Sequence, residues 1–377
     1  MVGVSGGAPI VLALNCGSSS LKFGLYRVEG RAVAQLLDGE IEAIGDPEGS
    51  WSARTQAGPI ASGPLALDRH ALALPRIQHL LARNGLPPPT AIGHRIVHGG
   101  AKVRDHAVID EGVLDDLRDA AAFDPLHAPA ALEVIGWARE FFKGFPQVAC
   151  LDTAFHRRMP DEARSFPLPV ELRAAGIERY GFHGLSCESI VRQLGENLPD
   201  RLVIAHLGAG SSVTAVKKGR SIDTSMGLTP TGGMMMASRS GDLDPGLLIY
   251  LMRTRGLDAD ALETLVDRQS GLLGVSDLSG DPRRLRQAGG ANTDARLALT
   301  MFAYAARKQV AAMASALEGL DLLVFTGGIG KYDAKTRKTI RTGLSWLRPK
   351  VRVLASREDE QIARHTSRLV WREVGAP

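Results

Sequence analysis

Residues 201–245 read RLVIAHLGAGSSVTAVKKGRSIDTSMGLTPTGGMMMASRSGDLDP. Apolar runs at 202–206 and 213–216 predict two strands, and the glycines and serines of 207–212 predict the turn that joins them. The N–H groups and hydroxyls of such a turn can cradle phosphate oxygens. Glycine/serine turns are equally common in hairpins that bind nothing, so this turn alone leaves both interpretations open.

The same order of strand, turn and strand occurs near the start of the chain. Residues 10–15 predict a strand, CGSSS at 16–20 a turn and 21–28 a returning strand, and a Gly-Arg pair follows each copy, at 30–31 and 219–220. The two copies lie too far apart for a solenoid repeat. We therefore expect one α/β domain duplicated into two halves, whose hairpins clamp one phosphate chain.

Length and composition limit the class of protein. A chain of 377 residues is too long for one compact core and fits two domains. No apolar run is long enough to cross a membrane, and three scattered cysteines without metal-ligand spacing suit a cytoplasmic protein. A net charge of +4 without a dense Lys/Arg block favours small anions over nucleic acid as partners.

Apolar periodicity and glycine or proline punctuation predict the remaining elements. Short strands and loops are expected over 31–64, and a glycine-punctuated turn over 270–279. Further strands are expected at 91–97, 147–152, 321–325 and 351–354. Helices are expected at 76–83, 130–142, 185–194, 293–317 and 358–372, and another is expected to follow a glycine turn at 326–330 and to run to about 344. The helix at 130–142 counts Leu132, Ile135 and Trp137 among its apolar positions, and the methionines at 234–236 are expected in the core.

Four charged or titratable side chains stand out. Arg95 lies between His94 and His98 at a predicted sheet edge, where a surface arginine and core-satisfied histidines are the simpler interpretation of that run alone. Asp152 ends a buried strand, where open α/β folds keep ligand-handling groups, although it would serve equally to cap the next turn. His183 sits in an open glycine turn, and Arg239 in a tight polar loop that suits oxyanion binding.

The chain resembles the acetate kinase family across nearly its whole length. The matching runs, in order, are NCGSSSLKFGLY, GHRIVHGG, LDTAFHRRMP, RYGFHGLS, AHLGAGSSVTAV, DTSMGLTPTGGMMMASRSGDLDP, SGLLGVS and VFTGGIG. The resemblance implies an α/β fold of two duplicated actin-like (ribonuclease H-like) domains with a nucleotide cleft between them. Residues 1–152 plus 358–377 would form the N-terminal domain and 153–357 the C-terminal nucleotide-binding domain, since the family's last helix returns to the first domain.

The resemblance also implies roles for individual residues. Arg95 and Arg239 would hold the carboxylate and the transferring phosphoryl group, with Asp152 as the catalytic aspartate and His183 stabilising that phosphoryl. Asn15 and Glu358 would be linked to the metal ion, Mg²⁺ or Mn²⁺. The acyl pocket would comprise Arg95, Val97, Leu126, Phe182 and Pro230. ATP or ADP and their phosphates would be bound by Asn15, Ser18, Ser20, Lys22, His206, Leu207, Gly208, Ala209, Gly210, Asp281, Pro282, Arg283, Gly328, Ile329 and Gly330.

Four features depart from the family pattern. Ala209 replaces an asparagine, so one amide aimed at phosphate is missing, and Cys187 replaces a histidine. Lys331-Tyr332 replaces a Glu-Asn pair, and a lysine at a helix start opposes the helix dipole. The segment between 344 and 351 is short for the family. These departures bear on nucleotide affinity and donor choice, and they leave the carboxylate chemistry intact.

The expected activity is reversible, Mg²⁺-dependent, in-line phosphoryl transfer from ATP to acetate, giving acetyl phosphate and ADP. A propionate or other short-chain carboxylate kinase is the alternative within the enzyme class, and pocket size separates the two. A nucleotide-binding regulatory protein without catalysis is the alternative from another class. The retention of Arg95, Asp152, His183, Arg239 and Glu358 speaks against it. The resemblance further suggests a homodimer and a place in acetyl-CoA biosynthesis.

Overall fold

The structure, a computed structural model, describes residues 8–124, 127–290 and 292–372. It divides into two compact units, Met1–Ala154 with Arg357–Pro377, and Phe155–Ser356. We call these unit 1 and unit 2. The domain limits expected from the sequence, 152/153 and 357/358, concern independently folding domains and stay a prediction.

Unit 1 is built on a mixed sheet of eight strands within the described residues, in the order β5-β4-β3-β2-β1-β6-β8-β7. The strands are β1 Ile10–Cys16, β2 Leu21–Glu29, β3 Ala32–Glu42, β4 Ser50–Thr55, β5 Gly58–Pro64, β6 Ala91–Ile96, β7 Ala107–Val108 and β8 Gln147–Leu151. β1 is buried along most of its length because it lies in the middle of this sheet.

Unit 2 is built on a sheet of five strands in the described chain, in the order β11-β10-β9-β12-β13. The strands are β9 Arg201–Leu207, β10 Ser211–Lys217, β11 Arg220–Thr224, β12 Leu322–Thr326 and β13 Lys350–Val353. Both predicted hairpins form, and the turn of the second one is shorter than expected, because strand pairing extends to Leu207 and Ser211.

The expected duplication is confirmed by the topology. In unit 1, β2 runs antiparallel to β1 and β3 to β2, whereas β6 and β8 continue the sheet parallel to β1. The same pattern holds around β9 in unit 2. There β10 runs antiparallel to β9 and β11 to β10, whereas β12 and β13 continue the sheet parallel to β9. The shared strand order and directions are those of the predicted actin-like halves.

The described chain also contains fourteen α-helices, some of which pack on the sheets. They are α1 Ala73–Arg83, α2 Glu111–Asp119, α3 Ala128–Phe141, α4 Asp161–Arg164, α5 Val170–Ala174, α6 Gly184–Leu194, α7 Pro245–Arg255, α8 Ala259–Arg268, α9 Gly271–Ser276, α10 Pro282–Ala288, α11 Thr293–Ala316, α12 Gly327–Tyr332, α13 Ala334–Thr342 and α14 Glu358–Arg372. None of those in the described ranges has both the length and the apolar character needed to span a bilayer.

Two helices form the main packing layers. α14 contacts β1, β2, β6 and β8 of unit 1, although it comes last in the chain. Its Ile362 and Thr366 lie so close to Gly93 that a Cβ there would collide with both side chains. α11 lies on β9 and β10 of unit 2, and the helix expected at 293–317 is confirmed, with Phe302 and Val310 fully buried.

Three expectations about elements are wrong. Trp137 is 46% exposed, with Arg69 over its ring, because the buried face of α3 is formed by Val134, Ile135 and their neighbours. The expected turn over 270–279 contains α9. Most of the glycine turn expected at 326–330 lies in α12, and the single helix expected after it is interrupted at Asp333, which caps α13. The three methionines at 234–236 are buried, as expected.

Candidate active site

The turn of the first hairpin is shaped by Gly17 and Ser20. The Gly17 N–H donates to the Ser20 carbonyl at 2.8 Å, and a Cβ at Gly17 would lie 2.7 Å from Ser20 Oγ, which would have to move to make room for it. Ser18 is exposed at the tip, and Asn15 and Lys22 pair across the strands below it. The turn therefore presents hydroxyls and one cation at the end of β1.

Arg95 and Asp152 form a buried ion pair at the ends of β6 and β8. Arg95 Nη2 lies 2.6 Å and Nε 3.2 Å from Asp152 Oδ2, with side chains 15% and 1% exposed. Parallel strands bring their carboxyl ends to one sheet edge, and so these residues meet. Burial lowers the pKa of Arg95, but the carboxylates of Asp152 and Glu358 raise it above its ordinary value. The guanidinium is a permanent, oriented cation.

The two histidines beside Arg95 have structural roles. His94 is buried and bonded through Nε2 to Gln147 Oε1 at 2.8 Å. His98 is also buried, accepts a hydrogen bond from the Gly100 N–H at 2.8 Å and stacks on Phe123. The interpretation of both histidines as satisfied in the core is therefore confirmed, whereas Arg95, next to His94 in β6, points to the opposite face of the sheet.

Asn15 and Glu358 lie together at the start of α14. Asn15 Nδ2 donates to Glu358 Oε2 at 3.3 Å and to Asp359 Oδ1 at 3.2 Å, and Asn15 Oδ1 lies 3.5 Å from Arg95 Nη1. Burial and the adjacent Glu358 raise the pKa of Asp359 to about 6. The sequence analysis missed Asp359, although two successive acids in the first turn of a helix were visible. A donor set of carboxylate and amide oxygens fits Mg²⁺ or Mn²⁺.

A small cavity lies beside Val97. Its walls are mainly apolar, and Asp124 and His127 line it together with Ile96, Val97, His98, Leu117, Ala128, Ala131 and Leu132. Asp124 Oδ1 is 2.8 Å from His127 Nδ1, a pair that the sequence analysis did not identify. Leu126, expected in the acyl pocket, lies outside the described residues.

In unit 2, His183 is held beside the second hairpin. Its backbone is left-handed, with φ of 58°, at the start of α6. Its Nδ1 lies 2.9 Å from Ser212 Oγ, and its ring stacks on His206 with centroids 4.1 Å apart. His206 is bonded in turn to Ser186 at 2.7 Å. The expectation of an open, unshielded turn is wrong, since the imidazole is fixed on two sides.

Arg239 and His183 converge on the second glycine turn. A Cβ at Gly210 would lie 3.2 Å from His183 Nε2 and 3.4 Å from Arg239 Nη1. Arg239 Nη1 also donates to the Pro230 carbonyl at 3.3 Å. The Ala209 carbonyl accepts from the Ala237 N–H at 3.1 Å, which ties the arginine loop to the turn. Two side-chain nitrogens, one of an imidazole and one of a guanidinium, thus converge on the second glycine turn.

The glycine turn after β12 packs on the end of β9. Gly327 has φ of 77°, and a Cβ there would lie 2.5 Å from the Leu207 carbonyl oxygen. Gly328 faces open space, Ile329 packs against the core and Gly330 is buried. The expected nucleoside turn and the second phosphate hairpin are therefore in direct contact.

The remaining predicted residues of unit 2 differ in their exposure to solvent. Pro282 is buried at the start of α10, and Asp281 holds the exposed Arg283 through Nε and Nη2 at 3.0 and 2.8 Å. Phe182 is fully buried, and its carbonyl accepts from His156 at 2.9 Å. The proposed binding of nucleotide by residues 281–283 and of the acyl group by Phe182 therefore stays a prediction.

Two residues that depart from the family pattern are Cys187 and Lys331, and the structure shows what each of them contacts. Cys187 is buried with Sγ 3.7 Å from Thr214 Oγ1, away from the glycine turn. Lys331 lies in the last turn of α12, with Nζ 4.7 Å from the centre of the Tyr332 ring. The expectation that Lys331 begins a helix is wrong, and a cation in that last turn is favourable.

Comparisons with known proteins identify the family of the chain. The model of the acetokinase family matches residues 10–368. An acetate kinase of Clavibacter michiganensis subsp. michiganensis is 41% identical over 90% of this chain and 87% of its own. Crystal structures of Porphyromonas gingivalis acetate kinase and of a propionate kinase from Francisella tularensis subsp. tularensis SCHU S4 are each 33% identical. They have TM-scores of 0.84 and 0.88, and each match covers 96% of this chain and 100% of the other. The chain belongs to the acetokinase family.

Proposed function

We propose that the protein is an acetate kinase that transfers the γ-phosphoryl group of ATP to acetate, reversibly and directly in line. The observation that carries this proposal is the convergence of His183 and Arg239 on Gly210, in a phosphate-type hairpin turn. Phosphoryl transfer requires positioning and neutralisation of charge on the equatorial oxygens, which an imidazole, a guanidinium and backbone N–H groups supply.

Arg95 is proposed to orient the acceptor. A carboxylic acid has a pKa of roughly 4, so acetate is already ionised at neutral pH and needs no general base. The buried Asp152 fixes the Arg95 guanidinium at 2.6 Å, which suits orientation better than proton removal. In this assignment Asp152 organises the acceptor side, and His183 stabilises the transferring group.

Mg²⁺, or Mn²⁺, is proposed to be held by Asn15 and Glu358, which are hydrogen-bonded to each other and carry an amide and a carboxylate oxygen of the kind that it prefers. When bound, the ion neutralises charge on the phosphate oxygens. Lys22 lies on the strand paired with Asn15, and the carboxylates of Glu40, Glu358 and Asp359 outweigh burial and raise its pKa, so it stays protonated. Asn15 and the protonated Lys22 would thereby bind the phosphate chain of the nucleotide.

Propionate is the second candidate acceptor. The cavity beside Val97 is mainly apolar, and the similar Francisella tularensis protein is a propionate kinase. Acetate remains first because the curated relatives are acetate kinases. A binding protein without catalysis would have no reason to keep both the Arg95–Asp152 pair and the His183–Ser212 bond.

We further propose a cytoplasmic homodimer that serves acetyl-CoA biosynthesis through acetyl phosphate. α7 supports the dimer, since none of its residues, all of them described, is buried, and Leu247, Ile249, Tyr250 and Met252 are 39–57% exposed. Such a row of large apolar side chains is typical of a surface that another chain covers. Neither nucleic acid nor membrane is a proposed partner.

The test is acyl phosphate formation with Mg-ATP, trapped with hydroxylamine, for acetate, propionate and butyrate. We expect acetate to react fastest and Arg239→Ala to lose at least about 10²-fold in rate. Arg118→Ala, an exposed arginine on α2, is the control and should keep full rate. Preference for propionate would favour the second candidate, and no product with any acceptor would contradict the proposal.

A further inference from the structure

The side chain of Arg286 connects α10 to the junction of α12 and α13. Its Nη2 contacts both Asp333 Oδ2 and Thr336 Oγ1, and its Nη1 donates to the Pro282 carbonyl at 3.3 Å. Asp333 accepts from the Thr336 N–H at 3.0 Å and from its hydroxyl at 2.8 Å. The Arg286 guanidinium thus joins α10 to the junction of α12 and α13 through a network of hydrogen bonds, which we call the Arg286 network.

This network lies beside both segments proposed to bind the nucleoside. Residues 281–283 begin α10, and Arg286 follows them in the same helix. Asp333 directly follows α12, which carries Gly328, and its N–H donates to the Ile329 carbonyl at 2.9 Å. A shift of α10 relative to α12 would change the separation of these two segments, and the Arg286 network opposes that shift.

The packing around α10 and α13 is compatible with a role of the Arg286 network in positioning these helices. α10 and α13 each contact α11, through buried residues that include Leu285 and Ile340. Contacts between apolar surfaces are non-directional, so they define the position of each helix along α11 less specifically than directional bonds do. Charge-assisted hydrogen bonds to a planar guanidinium are directional and set the distance and angle between two elements.

Energetics also favour a positioning role over a purely stabilising one. The Arg286 and Asp333 side chains are only 20% and 12% exposed, so both charges lose most of their hydration. An apolar replacement of such a pair is often as stable, because desolvation offsets the attraction. The pair therefore adds less net stability than its bond count suggests, whereas its geometry is well defined.

We propose that Arg286 is a positioning residue that sets the spacing between residues 281–283 and Gly328, and thereby the KM for ATP. This inference rests on the proposed function, since it takes those two segments as the nucleoside site. Arg286 itself touches no residue assigned to the transferred phosphoryl group among its described contacts. Its loss should therefore weaken nucleotide binding and leave the chemical step alone.

The experiment compares full-length Arg286→Met with a double variant, Arg286→Met with Asp333→Asn, in steady-state acyl phosphate formation and thermal unfolding. Asparagine keeps the cap of α13 but removes the charge that the single variant leaves unpaired. In both variants we expect the KM for ATP to rise about tenfold, with kcat and the KM for acetate changed less than about twofold. The double variant should recover the Tm that the single variant loses.

Two further variants complete the comparison. Arg286→Lys keeps the charge without the planar fork and should give an intermediate KM for ATP. Arg201→Met breaks another arginine–aspartate pair of unit 2, in which Arg201 Nε lies 3.2 Å from Asp321 and joins β9 to the start of β12. This more exposed pair lies beside no proposed nucleoside segment, so its loss should lower Tm without changing the KM for ATP.

The outcomes separate this inference from the proposed function. If the KM for ATP is unchanged in Arg286→Met, the positioning role is overturned while acetate kinase activity stands. The same holds if the double variant recovers both its Tm and the wild-type KM for ATP. If the wild-type protein forms no acyl phosphate from ATP, the proposed function fails and the inference with it. A raised KM for ATP that persists in the stable double variant would support it.

Discussion

At the scale of single residues, the bond between Ser212 and His183 orients the imidazole. Ser212 Oγ lies 2.9 Å from His183 Nδ1, and Nε2 is the nitrogen that faces Gly210. We expect Ser212→Ala to lower kcat about tenfold and His183→Ala about 10²-fold or more, with smaller changes in KM. The hydroxylamine assay at saturating substrate measures both.

The control for this prediction is another buried serine–histidine pair in unit 2. Ser221 Oγ lies 2.8 Å from His156 Nδ1, and neither residue has a proposed role in the reaction. Ser221→Ala should reduce stability and leave kcat unchanged. An equal loss of kcat in the two serine variants would show that Ser212 acts only through the stability of the unit.

At the scale of elements, the tight turn between β12 and α12 depends on Gly327. Its positive φ is costly for any residue with a Cβ, and that Cβ would collide with the Leu207 carbonyl of β9. We expect Gly327→Ala to lower the free energy of unfolding by about 2–4 kcal/mol, since strain and collision add. Urea denaturation monitored by circular dichroism measures the change.

Gly328 provides the matched comparison, because it is the next residue and a Cβ added there would have no other atom within 4 Å. Gly328→Ala should keep the wild-type denaturation midpoint, whatever its effect on nucleotide binding. If both alanine variants lose the same stability, close packing of this turn on β9 is not the cause.

At the scale of the whole molecule, each unit buries a neutral histidine that links its stability to pH. Burial lowers the pKa of His94 in unit 1 to about 4, although its bond to Gln147 partly opposes the shift, and likewise lowers that of His156 in unit 2 to about 4. An unfolded histidine binds a proton below about pH 6.5. The free energy of unfolding is therefore highest above pH 6.5 and falls as the pH drops from 6.5 to 4.

The measurement isolates one histidine, because other groups titrate in the same range. The raised pKa of Asp359, about 6, has the opposite sign and adds stability as the pH falls below 6. We expect the loss of unfolding free energy between pH 8 and pH 5 to be about 2 kcal/mol smaller in His156→Gln than in wild type. The exposed His79→Gln should match wild type. Identical losses in all three proteins would contradict the assignment to His156.

The sequence by itself determined the duplicated fold and the family. Strand, glycine turn and strand recur as local patterns, since positive backbone angles and strand alternation are set by neighbouring residues. The helix α11 and the limits of α14 were also predictable, because helix periodicity and an acidic first turn are local signals. The residue types of the site, Arg95, Asp152, His183 and Arg239, could be named in the same way.

Only the tertiary structure decided which side chains meet. The bond of Arg95 to Asp152 joins parallel strands far apart in sequence, and the capture of Asn15 by Glu358 and Asp359 joins the two ends of the chain. The Arg286–Asp333 pair had no sequence signal, because neither residue lies in a recognisable motif. The choice among charged partners depends on distance and burial in the folded chain, and local sequence encodes neither.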